Sequence, residues 1–339
     1  GAPNVTKNLI LNFLSTQDED GELDGKPGIA GQRGKFLAAP LIASLTWKYY
    51  QNTQDEVFLA EVFPKLIKFF WSWFSGIHDR NRDGAPEWDN ILQTGFEDNP
   101  LFDVWHPWSQ GLDISLVHSP SLEAMLYREA QSLAKIAKKL GKPAEETSLV
   151  ISQAETLKTS VEASWNPRTS FYTYRERETG LASTGKLIAK RKGEGNMRPK
   201  FESETPVRLL IEIHTKDPGA KRPEVEISEY FTKSKGEVEI IPGHQFQWRT
   251  GGLVATSQKI FNRIGRINVI GLDEKDKITV SIIDTNGEDI TLALPLWAEM
   301  PEKQKAYAMI GRNVMMAERF DRPFGMKFLS ISPEKEDET

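Results

Sequence analysis

The chain has 339 residues, 39% hydrophobic and 27% charged, which suits a globular protein with material for one large domain or two ordinary ones. A net charge of −5 gives no basis for a nucleic-acid partner or an anionic membrane surface. With no cysteine there is no disulfide, thiol catalysis or thiolate metal site. No apolar run reaches the roughly 18 residues of a membrane helix, so no membrane partner is expected, and the compartment is left open.

In chain order, Asn8–Ser15 has a short helical periodicity that runs into the turn cluster Gln17–Gly21. Phe36–Tyr50 reads as a second helix with Pro40 in its first turn, where a missing N–H costs least. Asp55–Phe74 reads as a third, with Phe58, Leu59, Val62, Phe63, Leu66, Ile67 and Phe70 on one face and Pro64 as a point of kinking or splitting. Pro120–Gly141 is the clearest helix, striped by Leu122, Met125, Leu126, Leu133, Ile136 and Ala137 and stopped by Gly141. Glu145–Ser164 follows as another.

After Tyr174 the pattern changes. The basic cluster Lys186–Lys192 reads as a solvated loop. Val207–Ile213, Val225–Ser228, Val238–Ile241, Phe246–Arg249, Leu253–Ser257, Ile267–Ile270 and Ile278–Ile283 are short, β-branched and separated by turn residues. They predict an immunoglobulin-like β-sandwich. Glu302–Met316 returns to helical spacing, so the β module, residues 200–289, reads as inserted into a helical domain of residues 1–185 and 290–330. The fold class expected is mainly α.

Acids, amides and tryptophans concentrate in Asp79–Trp88 and Gln93–Asp103, the composition that hydrogen-bonds sugar hydroxyls and stacks pyranose faces. Glycosidic cleavage needs a protonated carboxyl at the leaving oxygen and a carboxylate to activate water. Adjacent acids such as Glu97 and Asp98, flanked by aromatics, favour a raised pKa on one of them. The candidate substrate-binding residues are Glu87, Trp88, Gln93, Asn99, Asp103, Trp105 and Trp108. Asp79, Asn81 and Asp83, with Gly84 at the turn, have the first half of a calcium loop, although Asn90 stands where an EF-hand has its closing Glu. The bland alternative is an acid-rich turn held by its own hydrogen bonds.

These residues resemble glycoside hydrolase family 63 and its relatives. There a D-x-[DN]-x-[DN]-G-x-x-E loop precedes S-G-x-D-[ND]-S-P-x-[WY]-D, and here the second motif reads Thr94-Gly95-Phe96-Glu97-Asp98-Asn99-Pro100-Leu101-Phe102-Asp103. The resemblance extends to Leu14–Gly21, Ala39-Pro40, Trp165-Asn166, Phe171-Tyr172, Pro295–Ala298 and Pro323–Met326. It implies an (α/α)6 toroid and an inverting α-glycosidase of glucosidase or mannosidase type, with Glu97 as general acid and Asp98 as the alternative. The family usually has Asp at position 97. The chemistry implied requires no cofactor, and some relatives bind a structural calcium ion in the Asp79–Asp83 loop.

The implied general base is a Glu near the end of the toroid, beyond the last matching motif. The expectation is therefore a partial toroid, completed by a further barrel segment or a second chain, acting on a carbohydrate. A catalytically inactive carbohydrate-binding or assembly module is the competing expectation, and a purely structural helical domain a third.

Overall fold

The computed structural model describes residues 3–28, 31, 34, 36–96, 99, 101–105, 109–230, 236–322 and 325–326. The chain divides into two compact units. One comprises Gly1–Gly95, His118–Thr173 and Glu288–Thr339; the other comprises Phe96–Val117 and Tyr174–Gly287.

Among the described residues, the first unit holds all seven α-helices: α1 (Pro3–Ser15), α2 (Ile42–Thr53), α3 (Glu56–Ser72), α4 (Pro120–Lys139), α5 (Ala144–Ala163), α6 (Leu294–Trp297) and α7 (Lys303–Met309). None is long and apolar enough to cross a membrane. Helix α4 packs against α2, α3, α5 and α6. Its stripe of Leu122, Leu126, Leu133 and Ile136 is fully covered, each side chain contributing roughly 1.5–3 kcal/mol of burial. The helix stops at Gly141, whose φ of 63° few other residues adopt. There Lys142 N–H donates to Ala137 O at 3.0 Å and Gly141 N–H to Lys138 O at 3.2 Å, a Schellman closure that turns the chain into α5.

Three helix expectations need correction. Helix α3 is continuous through Pro64. The carbonyl that Pro64 cannot serve is that of Ala60, and both residues lie on the exposed face, open to solvent. The second helix does not reach back to Phe36, because a proline keeps the residue ahead of it, Ala39, out of helical conformation, and Pro40 itself lies before α2, which starts at Ile42. Past α7 the chain continues as a single π turn, Ile310–Val314, in place of the α-helix expected to Met316.

The second unit is antiparallel β. The strands of its two main sheets are β1 (Leu187–Lys192), β2 (Gly195–Met197), β3 (Phe201–His214), β4 (Glu224–Ser228), β5 (Val238–Ile241), β6 (Gln247–Arg249), β7 (Gly252–Ile264), β8 (Arg266–Ile270) and β9 (Lys277–Ile282). They form a five-stranded sheet, β6-β7-β3-β9-β1, and a four-stranded sheet, β2-β8-β4-β5. One apolar core draws on both: Leu209, Ile211 and Ile213 of β3 with Phe261 of β7, and Val225 and Ile227 of β4 with Ile267 and Val269 of β8. The segment Lys186–Lys192, expected as a loop, supplies the edge strand β1. Its lysines suit an edge, where charge discourages pairing with another chain.

The β3–β7 ladder slips between Thr256 and Ile260. The buried Arg208 guanidinium fills the irregularity, with Nη1 donating to Ser257 O at 2.8 Å and Gln258 O at 2.7 Å. Its Nε donates to Glu176 at 2.7 Å. From the other side, Glu239 accepts the N–H groups of Gln258 and Lys259 at 2.7 and 3.0 Å. A break in pairing thus keeps its polar groups satisfied in a buried place.

Candidate active site

The upstream half of the acid-rich segment is a loop of the first unit, between α3 and the short 3-10 turn Ile91–Gln93. Glu87 N–H donates to His78 O at 2.8 Å and closes it. Inside the turn, Asp79 accepts the N–H groups of Asp83 and Gly84, both at 3.1 Å. Gly84 has a φ of 83°, and a Cβ there would lie 3.0 Å from Thr156 Cγ2 of α5. Gln153 of α5 also donates to Gly84 O at 2.6 Å, so the helix fastens the turn from above. Burial raises the Asp79 pKa, and the charge of Asp83 adds to it.

Asp83 accepts from Ala85 N–H at 2.8 Å and from the Asn81 amide at 3.0 Å, and His118 Nε2 lies 3.2 Å away. Burial opposes its ionisation, but His118 and these donors outweigh that effect and hold the carboxyl below its usual range. The other ring nitrogen of His118 lies 3.5 Å from Glu123, which is fully buried in the first turn of α4.

Asp89 is the hub of a second cluster. It lies 2.7 Å from His78 Nδ1 and accepts from Arg80 at 2.6 Å and from Gln93 Nε2 at 2.9 Å. Gln93 Oε1 accepts the N–H groups of Asp89 and Asn90 at 2.7 and 3.1 Å, a capping box that starts the short turn. Arg80 also reaches Glu87 at 3.3 Å. Burial works against a charge on His78, but Asp89 and Glu22 together outweigh it and raise its pKa. At Asp89 burial is likewise overcome, by His78, Gln93 and Arg80, and the carboxyl titrates below its usual range.

Three expected substrate contacts are therefore turned inward. Gln93 is a cap, Glu87 is buried beside Arg80, and Trp88 is 1% exposed with its ring edge-on to Trp73 at 5.6 Å. Asp89, His78, Arg80 and Glu123 were not singled out from sequence. The available signals were the placement of His78 beside the Asp79 motif and the four-residue spacing of Asp89 and Gln93.

From Phe96 onward the downstream half belongs to the second unit. Glu97, Asp98 and Trp108 lie outside the described residues. Asn99 and Asp103 are buried turn-formers: Asn99 accepts from Leu101 N–H at 3.0 Å, its carbonyl accepts from Asp103 N–H at 2.7 Å, and Asp103 accepts from Trp105 N–H at 2.8 Å. This stack of Asx-type bonds ends in Trp105, whose side chain is 74% exposed.

For a metal, the oxygen donors Asp79, Asn81 and Asp83 line one turn. No group of three or more His, Cys, Asp or Glu side chains capable of holding a metal ion occurs among the described residues. Asp83 Oδ2 already meets the Asn81 amide and His118, whereas Asp83 Oδ1 accepts Ala85 N–H and has a second lone pair of the kind a hard cation takes.

Three solved structures from Thermus thermophilus are similar to the chain. One is described as an uncharacterized conserved protein (18% identity, 49% of this chain and 52% of that one, TM-score 0.40). Another is a GH63 mannosylglycerate hydrolase in complex with glucose (18% identity, 52% and 56%, TM-score 0.42). The third is that hydrolase with Tris and D-glycerate (15% identity, 52% and 57%, TM-score 0.43). The chain spans a little over half the length of these structures. No curated protein matches it. Residues 13–197 match the family described as the mannosylglycerate hydrolase MGH1-like glycoside hydrolase domain. That match spans more than half of the sequence, together with the acid-rich loops it was expected to include, and the chain belongs to this GH63-like glycosidase family.

Proposed function

We propose that the chain carries part of the catalytic barrel of an inverting α-glycosidase, with Glu97 as general acid. The observation that carries the reading is the extent of the family match, residues 13–197, which includes every site residue named here. Glu97 protonates the glycosidic oxygen as the bond to the anomeric carbon breaks. A carboxylate activates a water that attacks from the opposite face, the two carboxyls standing about 6.5–9.5 Å apart. Asp98 is the alternative acid. The general base comes from outside these residues, in a further barrel segment or a second chain. An α-linked mannose or glucose on a small hydrophilic acceptor such as glycerate is the substrate class, by analogy with the mannosylglycerate hydrolase after which the matched family is described.

The architecture proposed is an incomplete (α/α)6 toroid, residues 1–185 and 290–330, with an immunoglobulin-like sandwich at 200–289. The helices of one unit and the two sheets around one core in the other support it. Trp105 stacks on the sugar, with Asn99 and Asp103 shaping its turn and Trp108 as a further aromatic contact; Glu87, Trp88 and Gln93 support the loop from within. Asp79, Asn81 and Asp83 hold a structural calcium ion that stiffens the loop and takes no part in bond cleavage. A melting temperature that rises with calcium and falls with chelator is the outcome expected, and an unchanged one removes the ion from the proposal.

The test of function is Glu97→Gln in the full-length protein, assayed on α-mannosyl- and α-glucosylglycerate by proton NMR. The β-anomer is expected as the first product of the parent. Loss of turnover with sugar binding retained in the variant supports the acid assignment. The Glu at a position where the family usually has Asp favours a second reading, a carbohydrate-binding module without turnover; a parent that binds the sugars and never hydrolyses them selects it.

A further inference from the structure

We infer that the β module is the positioning element for the segment that follows the acid pair, with Arg249 and Gln110 as positioning residues. The catalytic meaning rests on the hydrolase reading above; the structural part does not.

Phe96–Val117 lies in one compact unit with the β strands, although about 60 residues of helical sequence separate the two in the chain. Its backbone and the Gln110 side chain are held at successive points by groups of the β module. Arg249, buried at the end of β6, donates from Nη1 to Ser109 O at 2.8 Å, while its Nη2 is held by Glu212 of β3. The Gln110 side chain pairs with the backbone of Asp284 as a strand would: Nε2 donates to Asp284 O at 3.1 Å, and Asp284 N–H donates to Oε1 at 2.9 Å. Asp113 N–H donates to Thr256 Oγ1 of β7 at 3.3 Å, and Thr250 Oγ1 to Trp105 O at 3.4 Å.

Close packing accompanies these bonds. A Cβ at Gly111 would lie 2.9 Å from Val254 Cγ1, and one at Gly287 would lie 2.4 Å from Leu101 Cδ2. A loop of this length, whose described residues hold only the 3-10 turn Ile114–Leu116 and the first residue of a two-residue strand, would otherwise sample many conformations, each displacing Trp105. The module supplies what the loop lacks, fixed hydrogen-bonding partners on strands β6 and β7 and on the chain just beyond β6 and β9. Catalytic geometry is sensitive to such placement, since a shift of about 1 Å can cost about 100-fold in rate.

The test uses the full-length protein labelled with 5-fluorotryptophan, the Trp105 resonance being assigned by its loss in Trp105→Phe. Two variants are compared. Gln110→Glu keeps shape but removes the donor to Asp284 O, and Arg249→Lys keeps charge but shortens the reach to Ser109 O. In both, the Trp105 fluorine signal is expected to shift or broaden, with the Trp165 and Trp297 signals of the helical unit unchanged. On a glycoside substrate kcat falls about 100-fold with a smaller change in KM. Should Arg249→Lys unfold the sheets, Gln110→Glu alone decides. An unmoved Trp105 signal overturns the inference, whether or not the protein hydrolyses anything. An altered signal with undiminished kcat in an active parent overturns it too. A parent without turnover sinks the hydrolase reading only, because the fluorine signal still reports on position.

Discussion

Glu129 caps a helix far from it in sequence: its carboxylate on α4 accepts the backbone N–H of Ser44, in the first turn of α2, at 2.7 Å. The other oxygen accepts Ala43 N–H, also at 2.7 Å. Helix α2 has no side-chain cap from its own N-cap residue, Leu41, so a buried carboxylate from a neighbouring helix satisfies donors that would otherwise be stranded.

This cap makes stability depend on pH. Burial pushes the Glu129 carboxyl up to about 7, against the two N–H groups that favour its charged form. The unfolded carboxyl titrates near 4.5. Between these values the folded chain binds the proton more tightly than the unfolded chain does. The Glu129 contribution is therefore full below the unfolded pKa and is lost as pH rises to about 7, a change of about 3 kcal/mol. Urea denaturation of the wild type and Glu129→Gln across pH 4 to 8 checks it: the stability difference between them should drift against the wild type over that window and be flat above it.

Gly84→Ala tests the turn around Asp79. The φ of 83° disfavours any side chain, and Thr156 Cγ2 would sit 3.0 Å from the added carbon. A loss of about 2 kcal/mol is expected from the denaturation midpoint. Gly141→Ala meets nothing within 4 Å, so only its positive φ of 63° costs, and its loss should be the smaller of the two.

Much of the helical unit was legible because periodicity and punctuation coincide. The α4 stripe and Gly141 together gave nearly its observed limits. Pro64 misled because a proline's effect depends on which face it occupies, which the linear sequence states only after the fold is known. Strand β1 was hidden by its lysines, since an edge strand in water has the composition of a loop. The site was harder still. Composition located the acid-rich loop, but an amide that caps a turn, as Gln93 does, has the same identity as one that binds a sugar. The tethers from Arg249 and Gln110 join residues 140 and 174 positions from their partners, and no local pattern encodes them.

The buried pair Arg208–Glu176 predicts a large and asymmetric effect. Arg208→Met leaves Glu176 buried without its cation and strips the donor from the carbonyls of Ser257 and Gln258. Removing one partner of such a pair costs about 3–5 kcal/mol. Denaturant unfolding should show it, as an early loss of the β unit when the Trp248 signal on β6 is followed.

Two tryptophans that look alike in sequence should behave in opposite ways. Trp88 is enclosed, with Trp73 across an 86° ring angle, so Trp88→Ala opens a cavity and should cost about 3–5 kcal/mol of stability. Trp105 is 74% exposed, held through its backbone by Asp103 and Thr250. Trp105→Ala therefore leaves the unfolding midpoint within about 0.5 kcal/mol of the parent. Stacking on an aromatic face contributes about 1 kcal/mol, so the same change should weaken sugar binding roughly fivefold. Calorimetric titration with mannosylglycerate, beside an unfolding curve for each variant, separates the two roles. If Trp105→Ala binds the sugar as tightly as the parent, the exposed ring is no part of the site.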